Sequence, residues 1–182
     1  MIYFFTPYSF NLKLLDAIAS CMNLLQPDDW AVLLDGDTMF LQPDFGHRIQ
    51  KHIETHPEAG LFTCYASRCH YSIQVPPGVD MENDSIRYHK LVANSLAANK
   101  AGQFIEINRR IAGHLMVIRK STWSRILPTI QRTARDQKVL GVDTKISKAV
   151  LATGLKILLM EDIYVLHYCR LAEGFDYTNH LT

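Results

Sequence analysis

Trp30-Ala31-Val32-Leu33-Leu34-Asp35-Gly36-Asp37-Thr38 is the stretch that decides how this chain is read. Its apolar half has no polar alternation, which predicts a short strand buried on both faces. The run stops at two carboxylates separated by one glycine. In open α/β sheets, ligands bind beyond the carboxyl ends of the strands. A hard divalent cation takes oxygen ligands, one or two of them carboxylates, and completes its shell with substrate phosphates. Asp35 and Asp37 are therefore candidate metal ligands, and Gly36 leaves the space between them bare for close approach. An Asp-Gly turn with no ligand is the plainer alternative; the buried strand ahead of the pair favours a site.

Working outward, Ile2–Phe5 is apolar and aromatic and reads as a strand, ended by Thr6-Pro7-Tyr8-Ser9. Leu12, Leu15, Ile18, Ala19, Met22 and Leu25 then fall at helical spacing, with Ser9 or Asn11 as the cap. Downstream, a helix is expected over Phe45–Thr55 and a strand over 60–66. Strand, helix, strand, helix, strand is the pattern of a parallel α/β sheet. Residues 75–108 open with Pro76-Pro77-Gly78 and read as an excursion from the sheet, with a helix over 85–98. A strand follows over 115–118, then a helix over 121–130 interrupted near Pro128, and a helix over 143–153 closed by Gly154. Residues 157–160 and 163–167 read as two strands joined by a turn at Glu161-Asp162. Trp123 suits a helix core position better than a sugar-stacking platform.

The 182 residues suit one domain with one substantial core. A formal net charge of +1 is too balanced for a nucleic-acid partner recognised through bulk electrostatics, so an anionic ligand needs a local site. No apolar run reaches membrane-spanning length, so no transmembrane segment is expected. Met1 leads straight into a strand with no secretory signal pattern, and the expected location is cytoplasmic. Cys21, Cys64, Cys69 and Cys169 lack the paired spacing of a zinc site and read as reduced thiols.

Three features then fall into one order: Thr6-Pro7-Tyr8 after the first strand, Asp35-Gly36-Asp37 after the second, and Val142-Asp143 ahead of Gly154-Leu155-Lys156-Ile157. With His167 at the end of an apolar run, this order resembles the GT-A (Rossmann-like) glycosyltransferases, family 2 and its relatives, from Tyr3 to Arg170. The resemblance implies a mostly parallel central sheet flanked by helices. It implies one domain, with residues 1–66 as the nucleotide-binding half and 75–182 as the acceptor half. It implies a nucleoside-diphosphate-sugar donor, a glycan or lipid-linked glycan acceptor, and Mn²⁺ or Mg²⁺ as cofactor. Asp35, Asp37 and His167 would hold the metal. Thr6, Pro7, Tyr8, Asn11, Asp35 and Gly36 would meet the nucleotide, His114 the donor sugar and Arg170 the diphosphate. Asp143 would be the base that deprotonates the acceptor. Val142 stands where the family carries a first acidic residue. The Gln-x-x-Arg-Trp signature of processive synthases is absent, which implies one sugar per transfer.

Two other readings fit the same residues. The strand ending in Asp35-Gly36-Asp37-Thr38 is similar to the first motif of haloacid-dehalogenase-like phosphatases, with Asp35 as nucleophile. Those enzymes carry a later strand ending in an acidic pair, where this chain has Leu166-His167-Tyr168. The substitution at Val142 and the short length also suit an inactive domain that binds nucleotide or glycan. The sequence leaves the oligomeric state open.

Overall fold

Trp30–Leu34 forms a strand, β2, buried along nearly its whole length as its unbroken apolar run predicts. The computed structural model describes residues 1–8, 13–133 and 141–168. The other strands are β1 (Ile2–Phe5), β3 (Thr38–Phe40), β4 (Leu61–Ala66), β5 (Phe104–Ile107), β6 (Leu115–Arg119) and β7 (Ile157–His167). The helices are α1 (Leu14–Asn23), α2 (Phe45–Thr55), α3 (Ile86–Asn99), α4 (Lys120–Thr133) and α5 (Val142–Ala152). The strands make one seven-stranded sheet in the order β1-β2-β6-β4-β7-β3, with β5 also paired to β7. No helix among the described residues is long and apolar enough to cross a membrane.

The sheet is mixed, which corrects the expectation of a mostly parallel one. Only β1–β2 and β4–β7 run parallel. β6 lies antiparallel between β2 and β4, and β3 and β5 run antiparallel to β7. The strand–helix–strand rhythm of the first third does set β1, β2 and β4 in the same direction, but β4 does not pair with β2 because β6 lies between them. The rhythm carries no information on the direction in which β6 enters after the excursion. β3 and β5 went unread because they are short and half-exposed.

Alternation along β2 sends Ala31 and Leu33 to one face and Trp30 and Val32 to the other. The first face packs on α1, α4 and α5 through Ile18, Ile126, Ile146 and Val150. Trp123, only 1% exposed, belongs to this layer and presents no surface to a sugar. α4 runs through Pro128 without interruption. The second face packs on α2 through Ile49 and Ile53, whose helical spacing aims both inward.

β7 corrects a second expectation. It is one strand of eleven residues, with no turn at Glu161-Asp162. Its register on β4 jumps from Cys64↔Met160 to Tyr65↔Tyr164, so the acidic pair occupies a bulge. Both acids are buried there and both are satisfied. Asp162 meets His52 Nε2 at 2.6 Å, the Gly102 amide at 3.1 Å and Arg48 at 3.4 Å. Glu161 meets Lys100 at 3.1 Å and accepts from the Tyr65 hydroxyl at 3.3 Å. The bulge separates the two short strands on the far edge of β7: β5 pairs below it and β3 above it.

Burial pushes the Asp162 carboxyl up, but the His52 bond, the Gly102 amide and Arg48 together hold it below the usual carboxylate range. A lowered carboxyl stabilises the fold above the unfolded value, near pH ~4, and loses that contribution as pH falls through the folded value. Asp162→Ala leaves His52 and Arg48 without their buried partner and should cost about 3 to 5 kcal/mol at pH 7. Urea denaturation checks this. A loss below about 1 kcal/mol at pH 7, or one that does not shrink in acid, contradicts the assignment.

Candidate functional site

The chain leaves β2 at Leu34 and turns through Asp35-Gly36-Asp37. Two backbone seams hold that turn. The His114 carbonyl, at the entry to β6, accepts from the Asp35 amide and the Thr38 hydroxyl, each at 3.3 Å. The Asp37 carbonyl accepts from the Tyr168 amide at 2.8 Å, just past the end of β7. β3 then starts at once, with Thr38 directly opposite His167. That register is what brings the histidine to the carboxylates.

One donor atom from each of Asp35, Asp37 and His167 lies within 4.8 Å of the others. His167 Nε2 stands 3.3 Å from Asp37 Oδ1. That is longer than the ~2.7–2.9 Å of a charge-assisted hydrogen bond. It is near the ~3 Å between adjacent ligand atoms of an octahedral cation bound at ~2.1 Å. His167 Nδ1 is buried with no hydrogen-bond partner among the described residues. Two carboxylates and an imidazole suit a borderline-hard divalent cation such as Mn²⁺, and Mg²⁺ through the carboxylates. The donor set therefore fits the metal that the resemblance implies.

The electrostatics show the same crowding. Burial raises the Asp35 carboxyl above its usual range, His167 offsets part of the rise, and the Asp37 and Asp143 charges add to it. The Asp35 side chain reaches solvent at the rim of a cleft, yet protein surrounds it on most sides. Asp37 moves the other way, held below the usual range chiefly by the adjacent His167 ring. Asp143, in the first turn of α5, is raised mainly by burial, against pull from the Thr144 amide and the charges of His70 and Arg110.

Asp35 and Asp143 stand on the rim of a cavity of about 180 Å³, with Leu14, Ile18, Met116 and Val142 among its apolar walls. Gly141 enters α5 at φ +90°, a conformation that favours glycine, and sets Asp143 in the first turn. Gly113 allows the close approach. A Cβ there would stand 3.0 Å from the Asp143 Cβ. Gly36 is different, because a Cβ there meets only Thr6 Cγ2, at 3.7 Å. The protein itself would accept a side chain at Gly36, so bareness matters there only toward a ligand.

The remaining expected residues divide. Pro7 lines the cavity, Thr6 lies over Gly36, and Tyr8 is 73% exposed. His114 is fully buried and does not line the cavity as expected; its neighbour Gly113 does. The His114 ring donates to the Cys64 carbonyl at 3.1 Å and packs 5.8 Å from the His167 ring. Burial and the nearby His167 push its pKa down to about 3, so it stays neutral. Asn11 and Arg170 lie outside the described residues. Val142, in place of the family's acid, is buried and forms cavity wall. Tyr71 and Arg110 were missed by sequence reading, although both approach Asp143 closely enough to interact. They lie in different loops, and no local pattern links them. No protein-family model matches the chain, and no curated protein matches it in sequence.

An ionised Asp35 repels Asp37 and Asp143. A carboxyl raised in the folded state weakens the fold as pH rises through that value. Asp35→Asn should therefore raise the melting temperature in EDTA by about 2 °C or more. The same variant should lose most of the stabilisation that Mn²⁺ gives the wild type. Calorimetry with and without Mn²⁺ checks both halves. A variant destabilised in EDTA, or one that keeps the full Mn²⁺ response, contradicts the reading.

Proposed function

We propose that this protein is a divalent-cation-dependent glycosyltransferase, moving a sugar from a nucleoside-diphosphate sugar to an acceptor hydroxyl, one sugar per transfer. The observation that carries the reading is the gathering of Asp35, Asp37 and His167 beyond the carboxyl end of β2, with Asp35 also lining the cavity that Asp143 lines. The resemblance to GT-A glycosyltransferases in the order of these residues supports it. So does the partner at the strand end, which is a histidine and not the second acidic pair a phosphatase would need.

The chemistry assigns roles to this chain's residues. Asp35, Asp37 and His167 would hold the cation. When bound, Mn²⁺ or Mg²⁺ supplies Lewis-acid neutralisation of charge on the departing nucleoside diphosphate. The cavity walls Leu14, Ile18 and Met116 keep water from the donor and strengthen the fields inside. Pro7, in the cavity wall, and the exposed Tyr8 next to it would meet the nucleotide. Asp143 takes the proton of the acceptor hydroxyl; its raised carboxyl makes it a stronger base than an ordinary aspartate. A base on the acceptor side favours inversion at the anomeric carbon.

The test is metal-dependent release of nucleoside diphosphate from a panel of nucleotide sugars. The wild type should turn over one donor class with Mn²⁺ or Mg²⁺ and none in EDTA. Asp37→Ala should lower the rate at least about 100-fold while the fold survives, since the side chain is half-exposed. Full metal-dependent activity in Asp37→Ala, or no turnover and no binding of any nucleotide, contradicts the proposal.

A further inference from the structure

The loop between β5 and β6 carries two adjacent exposed arginines, Arg109 and Arg110. Arg48, Arg68 and Arg119 are each tied to a carboxylate. Among the described residues, neither Arg109 nor Arg110 makes a close ion pair, although the Arg110 charge acts on the Asp143 carboxyl. Arg110 is nevertheless positioned, with its guanidinium carbon 5.2 Å from the centre of the Tyr71 ring. Tyr71 is itself braced: its hydroxyl bonds to Thr144, next to Asp143, and the His70 ring packs on it at 4.0 Å. The two arginines, Tyr71 and Ser72 line a pocket of about 370 Å³. Arg110 is also a wall of a wider depression of about 590 Å³, which reaches Lys145 and Lys148 on α5. Gly141 lines both the wider depression and the cavity beside Asp35, and Asp143, which lines that cavity, is flanked in sequence by Thr144 of the depression.

Four cations therefore line these two hollows in a chain whose overall charge is only +1. The Tyr71 ring holds one of these guanidinium groups in place beside the pocket. Guanidinium forks match the oxygens of phosphate or carboxylate. Two forks and the Ser72 hydroxyl present more donors than the two oxygens of one carboxylate can satisfy, while a phosphate presents three or four.

We propose that Arg109 and Arg110 form a phosphate-binding site which, on the transferase reading above, holds a phosphate group of the acceptor beside Asp143. That group belongs either to a water-soluble phosphosugar or to a lipid headgroup, and both present the same oxygens.

The experiment uses the full chain in EDTA, so that the Asp35–Asp37–His167 cluster holds no metal. Inorganic phosphate is titrated by calorimetry at constant ionic strength, with chloride as the balancing salt. Cosedimentation with phosphatidic acid vesicles, against phosphatidylcholine vesicles, forms the second arm. The double variant Arg109→Ala/Arg110→Ala replaces exposed side chains, and an unchanged melting temperature in chloride confirms that it folds. Wild type should bind phosphate at least about tenfold more tightly than the double variant. Arginine-dependent vesicle binding points to a lipid-borne phosphate, and arginine-dependent binding of phosphate alone to a soluble one. Equal binding by both proteins in both arms overturns the site, as does tighter binding of glucuronate than of phosphate. The transferase reading fails separately, by absence of metal-dependent nucleoside-diphosphate release in the wild type. A protein that fails there but binds phosphate through the arginines keeps the site and loses only its role for an acceptor.

Discussion

The antiparallel register of β3 on the end of β7 is the constraint on which the rest depends. β3 is only three residues long, yet its first residue faces His167. Because Asp37 immediately precedes it, the pairing leaves Asp37 no position except beside the imidazole. The seam from the Asp37 carbonyl to the Tyr168 amide closes the same junction from the other direction. Without this pairing, the carboxylates would end β2 and the histidine would end β7 on a neighbouring part of the sheet, with nothing to bring them together.

The bulge in β7 serves that register. β5 and β3 both pair with the same edge of β7, and the jump in pairing between them sets where the upper half of the strand stands. Asp162 anchors the bulge to α2 and to the turn before β5 through His52, Arg48 and the Gly102 amide. A buried charge with several partners is a specific device: it tolerates one arrangement and penalises slippage strongly. The acidic pair that resembles turn chemistry in the sequence thus fixes the position of His167 five residues later.

How legible this was depended on whether the signal was local. Continuous apolar runs and helical spacing identified β2, α2 and the start of α5 with little error, because burial on both faces or on one stripe leaves a direct trace in residue type. Asp35 and Asp37 were readable as candidates because they follow a buried apolar run, whereas His167 became a candidate ligand only through the family resemblance. Strand direction was not readable, since direction depends on how distant segments cross. β3 and β5 were missed for want of length, and β7 was split in two because Glu161-Asp162 looks like a solvated turn until its buried partners are known. His114 illustrates the same limit. Its place before a strand suggested a pocket residue, but the backbone carbonyl does the structural work while the ring turns inward to Cys64. The pairing of Arg110 with Tyr71 joins residues far apart in sequence and left no trace in either segment.

The most direct test of the central claim is a crystal structure grown with Mn²⁺ and a nucleoside diphosphate, with data collected for the anomalous signal of manganese. The account predicts one strong peak within bonding reach, about 2.1–2.3 Å, of Asp37 and His167, with Asp35 on it directly or through water and the diphosphate completing the shell. A peak held by other residues, or nucleotide bound away from Asp35-Gly36-Asp37, would contradict it.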